Sequence, residues 1–253
     1  MLKRLVVIGS DEALRTRLAE LEGDPALQVV PMENEAPLPP GTIAAVLATD
    51  APEWALRAVL RLGERRARIL ELLAEAIDCR EDLKQGSSVR VLDHAARFAQ
   101  ALDFDADTRI ALERAALLRG VGKLRISNDI LLKKSLLDYD EWTTLKDHPE
   151  LGAQLLQEAG IFLDAVSLIR YHHECWDGTG YPHGLEGEAI PYGARVLRLI
   201  DVFCAMTSPR AYRSGRATRE EALAHLQEER DKHFDPAVVD AFIEHDIGHV
   251  PEA

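Results

Sequence analysis

The stretch His172-His173-Glu174-Cys175-Trp176-Asp177-Gly178-Thr179-Gly180-Tyr181-Pro182 sets two adjacent histidines beside an acidic residue and runs directly into a glycine-rich turn. Neutral imidazoles bind transition metals well, and two in succession supply two ligands from one short length of backbone. Asp177, Gly178, Gly180 and Pro182 are turn formers, so the histidines are expected at the mouth of a tight loop.

Outward from this stretch the chain reads as helix. Residues 87–102, 107–118, 138–145, 149–158, 162–173, 191–207, 219–229 and 236–243 carry apolar side chains at helical spacing. Asp107-Thr108 and Thr218-Arg219-Glu220-Glu221 are candidate N-terminal caps. Trp142 and Trp176 are expected as core or loop anchors.

The front of the chain has a different pattern. Residues 5–8, 27–30 and 42–48 are short apolar, partly β-branched runs that predict strands. Between the first two, Ala13, Leu14, Leu18 and Leu21 fall at helical spacing behind a Ser10 or Asp11 cap. The loop over 31–41 carries four prolines and leaves little room for a second helix. Strand, helix, strand, loop, strand implies a small parallel α/β unit. After it, Ala55, Val59, Leu62, Arg66, Ile69, Leu73 and Ala76 alternate steps of four and three, a heptad seam with one polar interruption at Arg66. A single amphipathic helix on its own domain and a two-helix dimer seam both satisfy that pattern. The expected fold class is α+β overall: a small α/β unit over 1–52, a linker or dimerisation helix over 53–82, and an all-α domain over 83–253.

Composition narrows the function classes. A chain of 253 residues with 47% apolar content can bury a substantial core. No apolar run approaches 18 residues, so no membrane insertion is expected. Three widely spaced cysteines, Cys79, Cys175 and Cys204, suggest reduced thiols and a cytoplasmic protein. A formal charge of −13 argues against DNA or RNA as partner, which needs a basic footprint. It leaves room for a small anionic ligand in a local basic site.

Several ordered motifs carry a family resemblance across residues 83–253. They are Leu117-Leu118-Arg119-Gly120-Val121-Gly122-Lys123, then Asp147-His148-Pro149-Glu150-Leu151-Gly152, then the double histidine with Gly180-Tyr181-Pro182. Asp201-Val202-Phe203-Cys204-Ala205-Met206-Thr207 leads into Arg210-Ala211-Tyr212-Arg213, and His233-Phe234-Asp235-Pro236 closes the series. Together they resemble the HD-GYP family, whose members hydrolyse cyclic di-GMP at a metal site inside a helical domain. The front segment resembles a shortened response-regulator receiver. Asp11 and Glu12 follow its first strand and Asp50 lies just past its third, displaced from the phosphoacceptor position. A docking or dimerisation domain is the alternative, with Asp50 an ordinary turn residue.

The departures from the family pattern are as informative as the matches. The tandem His-Asp that names the family is Arg119-Gly120. Ser87 and Leu83 stand where the resemblance implies two further ligands, and Cys204 where it implies a second aspartate. A guanidinium does not deprotonate to ligate a metal, although it can pair with Asp201 and fill the vacated charge position. His148, His172, His173 and Asp201 are retained. The resemblance therefore implies either no cofactor or one divalent transition metal (Fe, Mn or Zn) on those four, with hydrogen-bonded buried histidines as the alternative. It also implies that Lys123, Tyr181, Arg210 and Arg213 face a nucleotide, and that the Gly180-Tyr181-Pro182 loop contacts a diguanylate cyclase (GGDEF) domain.

Three functions follow as expectations. The first is a degenerate HD-GYP module, catalytically impaired, that senses cyclic di-GMP or binds a partner. The second is an active cyclic di-GMP phosphodiesterase with a reduced metal site, using Lys123. The third is a nucleotide-independent adaptor. A homodimer through the seam is expected in each case.

Overall fold

The computed structural model describes residues 5–8, 28–30, 43–46, 70–71, 73–79, 87–208 and 217–248. The chain divides into two compact units, residues 1–71 and 72–253.

In the first unit the strands β1 (Leu5–Ile8), β2 (Gln28–Val30) and β3 (Ile43–Val46) form a parallel sheet in the order β2-β1-β3. Val7 pairs with Val29 on one side and Ala45 on the other. The helix expected over 11–21, the proline-rich loop, Asp50 and most of the heptad seam lie outside the described residues. So does the likeness to a receiver, which depends on them.

In the second unit, residues 73–79 are helical, with Ala74, Ile77 and Asp78 buried. That face is offset by one position from the expected seam, whose Leu73 is half-buried and whose Ala76 is exposed. The remainder is helical: α1 (Ser87–Ala101), α2 (Ala106–Leu118), a 3-10 turn (Val121–Arg125), α3 (Asn128–Leu131), α4 (Tyr139–Lys146) and α5 (His148–Ala159). Then come α6 (Val166–Tyr171), α7 (Tyr192–Thr207), α8 (Arg219–Glu228) and α9 (Pro236–Glu244). The expected boundaries hold to within a few residues.

The helix starts have local causes. Thr218 and Glu221 form a reciprocal capping box on α8, as the sequence predicts, and Asp138 with Glu141 does the same on α4. On α2 the cap is Asp105, which accepts from the Asp107 and Thr108 amides. The cap therefore lies two residues before the expected Asp107, and Asp107-Thr108 fall in the first turn of the helix.

Helix α7 is the axis of the unit and packs against α1, α2, α6, α8 and α9. Its Val196, Leu197, Leu199, Ile200 and Phe203 are buried among residues that include Val91 and Phe98 of α1, Leu112 of α2, and Val238 and Phe242 of α9. Phe203 meets Phe242 edge-on at 5.0 Å. His94 lies inside this core, its Nδ1 3.0 Å from the Ile247 carbonyl, and ties the turn after α9 to α1. No helix among the described residues is long and apolar enough to cross a membrane.

One close approach places the site. A Cβ on Gly122 would lie 1.9 Å from the His148 carbonyl oxygen and 2.4 Å from the Gly152 amide nitrogen. Only glycine lets the 3-10 turn lie directly on the first turn of α5. That contact fixes Lys123 and His148 relative to one another.

Candidate functional site

Helix α5 begins at His148, with Pro149 as its preformed first turn, and α6 ends at Tyr171 with His172 as its cap. The two helix ends bring three imidazoles together. The His148 ring lies 5.5 Å from His172 and 5.0 Å from His173, and those two are 4.0 Å apart. One ligand atom of each falls within 4.8 Å of the others. His148 and His172 are 3% and 1% exposed, which removes them from competing water.

Each ring has a distinct partner. His148 Nδ1 lies 2.9 Å from the Leu145 carbonyl, and His172 Nδ1 lies 2.6 Å from that of Ile169. A carbonyl only accepts, so both Nδ1 atoms carry hydrogen and both Nε2 lone pairs are left for a ligand. His173 is the reverse: Arg198 donates from Nη1 to its Nδ1 at 3.2 Å. Arginine has no acceptor, so a neutral His173 carries its proton on Nε2. Burial pushes all three imidazoles toward the neutral form, helped by the Lys123 charge: His148 to about 2, His172 to about 4, and His173 well below the usual range.

Beside the cluster, Arg119 stands at the end of α2 and donates from Nε to Asp201 Oδ1 on α7 at 2.6 Å. This is the pairing that the exchange of a histidine for an arginine predicts. Its Nη1 also donates to the Ala116 carbonyl at 2.8 Å and to the Ser88 hydroxyl oxygen at 3.1 Å. Ser88 in turn donates its hydroxyl to Asp78 Oδ1 at 2.7 Å and its amide to Asp78 Oδ2 at 2.8 Å. Burial disfavours charge on Asp201, yet Arg119 and then His172 override it and hold the carboxyl well below the usual range. Burial likewise opposes the Arg119 charge, and Asp201 raises its pKa in spite of that. Cys204 is pushed up to about 12, chiefly by burial. The family comparison singles out Ser87, but the hydroxyl that reaches Arg119 is Ser88's, one residue on, because Ser88 lies on the buried side of α1 and Ser87 does not.

The loop after the histidines is clamped from within. Glu174, 2% exposed, accepts the His183 amide at 2.7 Å and the Leu185 amide at 3.0 Å, one on each carboxylate oxygen. Asp177 accepts from the Thr179 amide and hydroxyl to form the turn. Gly180 is required by space, since a Cβ there would lie 2.2 Å from the Cys175 nitrogen. Tyr181 stacks on His173 at 4.8 Å with the rings 24° apart, and the next residue is Pro182. Lys146 lies 5.4 Å from the Tyr181 ring centre and 5.6 Å from that of Trp142. Trp142 is 46% exposed and therefore not a core residue: α4 has no buried side chain that would draw it inward. Trp176 is a half-buried loop anchor under Arg195.

The structure therefore assembles His148, His172, His173, Asp201, Lys123 and Tyr181 around one locus, whereas Arg210 and Arg213 lie outside the described residues. Sequence reasoning missed Asp78, Ser88, Lys146, Glu174 and Arg198. Only Glu174, an acid directly after a double histidine, carried a local signal.

The HD domain family model matches residues 71–238, and the chain belongs to that family. It is 38% identical over 191 residues to the cyclic di-GMP phosphodiesterase response regulator RpfG of Xanthomonas campestris, covering 74% of this chain and 50% of that protein. It is 42% identical over 139 residues to a cyclic di-GMP phosphodiesterase of Vibrio cholerae, covering 52% of this chain and 28% of that one. The chain thus spans half or less of these relatives' lengths. Among solved structures, a cyclic GMP-AMP-specific phosphodiesterase of Vibrio cholerae matches with a TM-score of 0.52 at 21% identity, covering 70% of this chain and 47% of that one. That likeness concerns the fold.

Proposed function

We propose that this chain is an HD-GYP-type module of cyclic di-GMP signalling that binds the nucleotide, or a partner that reports on it, without hydrolysing it at an enzyme's rate. The relatives named as cyclic di-GMP phosphodiesterases supply the ligand class. The Arg119–Asp201 contact at 2.6 Å carries the reading of impaired catalysis. A two-metal centre does not fit this donor set. One of its aspartate oxygens is engaged by a guanidinium, Gly120 has no side chain, and Cys204 stands where the resemblance implies a second aspartate.

One divalent transition metal, Fe, Mn or Zn, fits better than two. Of the four retained residues, His148 and His172 have free Nε2 lone pairs, whereas His173 and Asp201 are each engaged by an arginine. Such an ion would supply Lewis acidity, which is why a phosphodiesterase with a reduced site remains the second reading. Lys123, Tyr181 and the two arginines at 210 and 213 are the proposed nucleotide contacts. An arginine can clamp a phosphate in two places without a metal.

The Gly180-Tyr181-Pro182 loop, set in place by Glu174, is the proposed contact for a diguanylate cyclase domain. The front unit and the 55–76 seam are proposed to hold a cytoplasmic homodimer. Isothermal titration of the full chain with cyclic di-GMP, and with 3'3'-cGAMP in parallel, tests the binding claim. Saturable binding of either nucleotide with EDTA present supports it. No heat for either, with or without Mn(II), leaves the nucleotide-independent adaptor as the better account.

A further inference from the structure

We propose that the Arg119 guanidinium is the resident cation of this site: a covalently attached replacement for a metal ion, holding together the acidic groups that such an ion would otherwise join. The proposal rests on the reading of the site as an altered metal centre and adds what replaced the metal.

The bonding pattern carries it. Two elements distant in sequence meet at one positive group, and a third joins through Ser88. Asp201 from α7 accepts at 2.6 Å, Ser88 from α1 accepts at 3.1 Å, and Ser88 is oriented by donating to Asp78 from the helix before it. Asp78 and Ser88 are 2% and 3% exposed. Asp78 is buried and the Asp201 side chain is only a quarter exposed, so a carboxylate held there without a positive partner would lose hydration uncompensated. A guanidinium meets the requirement with directed N–H bonds and needs no ion from solution. The Ala116 carbonyl holds Nη1 at 2.8 Å, which fixes the fork within its own helix.

A second arginine completes the arrangement. Arg198 donates to His173 Nδ1 at 3.2 Å and approaches the Cys175 sulfur at 3.4 Å. It occupies the His173 Nδ1 lone pair and so leaves a neutral His173 with an N–H at Nε2. Two arginines thus engage two of the four retained residues, leaving a two-histidine set from which no second ion can be held.

The test compares the wild-type chain with Arg119→Ala and Asp201→Asn in thermal unfolding, each after EDTA treatment and again with millimolar Mn(II), alongside elemental analysis of chains reconstituted with Fe, Mn or Zn. The wild-type chain is expected to hold at most one ion, and EDTA is expected to leave its melting temperature unchanged. Arg119→Ala should melt roughly 5–10 °C lower, the size of a broken, partly buried ion pair in a chain this long. Mn(II) should recover much of that loss, because the variant removes the guanidinium that Asp201 and Ser88 accept from. Asp201→Asn should also melt lower, but Mn(II) should not restore it, since the group left unpaired is then positive. Two ions per wild-type chain, or an Arg119→Ala melting point that Mn(II) raises no more than it raises the wild type's, overturns the proposal. If Arg119→Ala does not fold, the ion count of the wild-type chain and its response to EDTA decide alone. Nucleotide binding enters none of these readouts, so this proposal and the signalling role fail separately.

Discussion

Replacing Glu174 should release the Gly-Tyr-Pro loop while leaving the helical core in place. The buried carboxylate accepts two backbone amides, His183 at 2.7 Å and Leu185 at 3.0 Å. A hydrogen bond to a charged group contributes about 1.5–3 kcal/mol, but an exposed His183 and a half-buried Leu185 regain water when released, so Glu174→Ala is expected to cost about 2–3 kcal/mol. In a chain this long that is a fall of roughly 4–12 °C in Tm. Glu174→Gln keeps one acceptor and turns an NH2 toward the other amide, so it should lose a smaller share. Hydrogen exchange gives the local readout: the His183 and Leu185 amides should exchange at least about tenfold faster in Glu174→Ala, while α7 amides slow to exchange in the wild type remain so. Unchanged protection at those two amides would show that the loop is held by something else, and the clamp would be refuted.

Three further outcomes follow from the site. Gly122→Ala should displace the start of α5, since its Cβ would lie 1.9 Å from the His148 carbonyl; a loss of about 2–4 kcal/mol is expected, and a denaturation midpoint equal to wild type would contradict the close approach. Stability should be greatest above about pH 6.5 and decline as pH falls, because His94, His148, His172 and His173 have depressed folded pKa values and the unfolded chain binds the extra protons. Glu113, raised by burial, works in the opposite sense at lower pH, so a Tm that stays flat from pH 7.5 to 5, roughly the window in which a free histidine titrates, would count against buried neutral histidines. Tyr181→Ala, which removes a ring stacked on His173, should weaken nucleotide binding by about 1–2 kcal/mol, with unchanged affinity per folded molecule as the contrary result.

The sequence carried more of the helical unit than of the site's wiring. Helix positions followed from apolar spacing and caps, which are local. The meeting of His148 with His172 and His173 followed from ordered motifs, and the Arg119–Asp201 pair from charge balance alone. Asp78, Ser88 and Arg198 were not legible, because what gives each its role lies 10 to 31 residues away in the chain and only the packing of α1, α2 and α7 brings them together. The cap of α2 was misplaced because Asp105 and Asp107 are equally good by residue type, and backbone conformation chooses between them. Trp142, expected as a core or loop anchor, instead lies 46% exposed on a helix with no buried side chain.

The most direct test of the account is product release. Micromolar full-length chain would be incubated with cyclic di-GMP and excess Mn(II) or Fe(II), and pGpG and GMP followed by chromatography. The Arg119–Asp201 pairing predicts no linear release above a protein-free blank. Linear release at enzyme-like rates, abolished by His172→Ala, would show that the site still performs metal-assisted hydrolysis and would contradict the central claim.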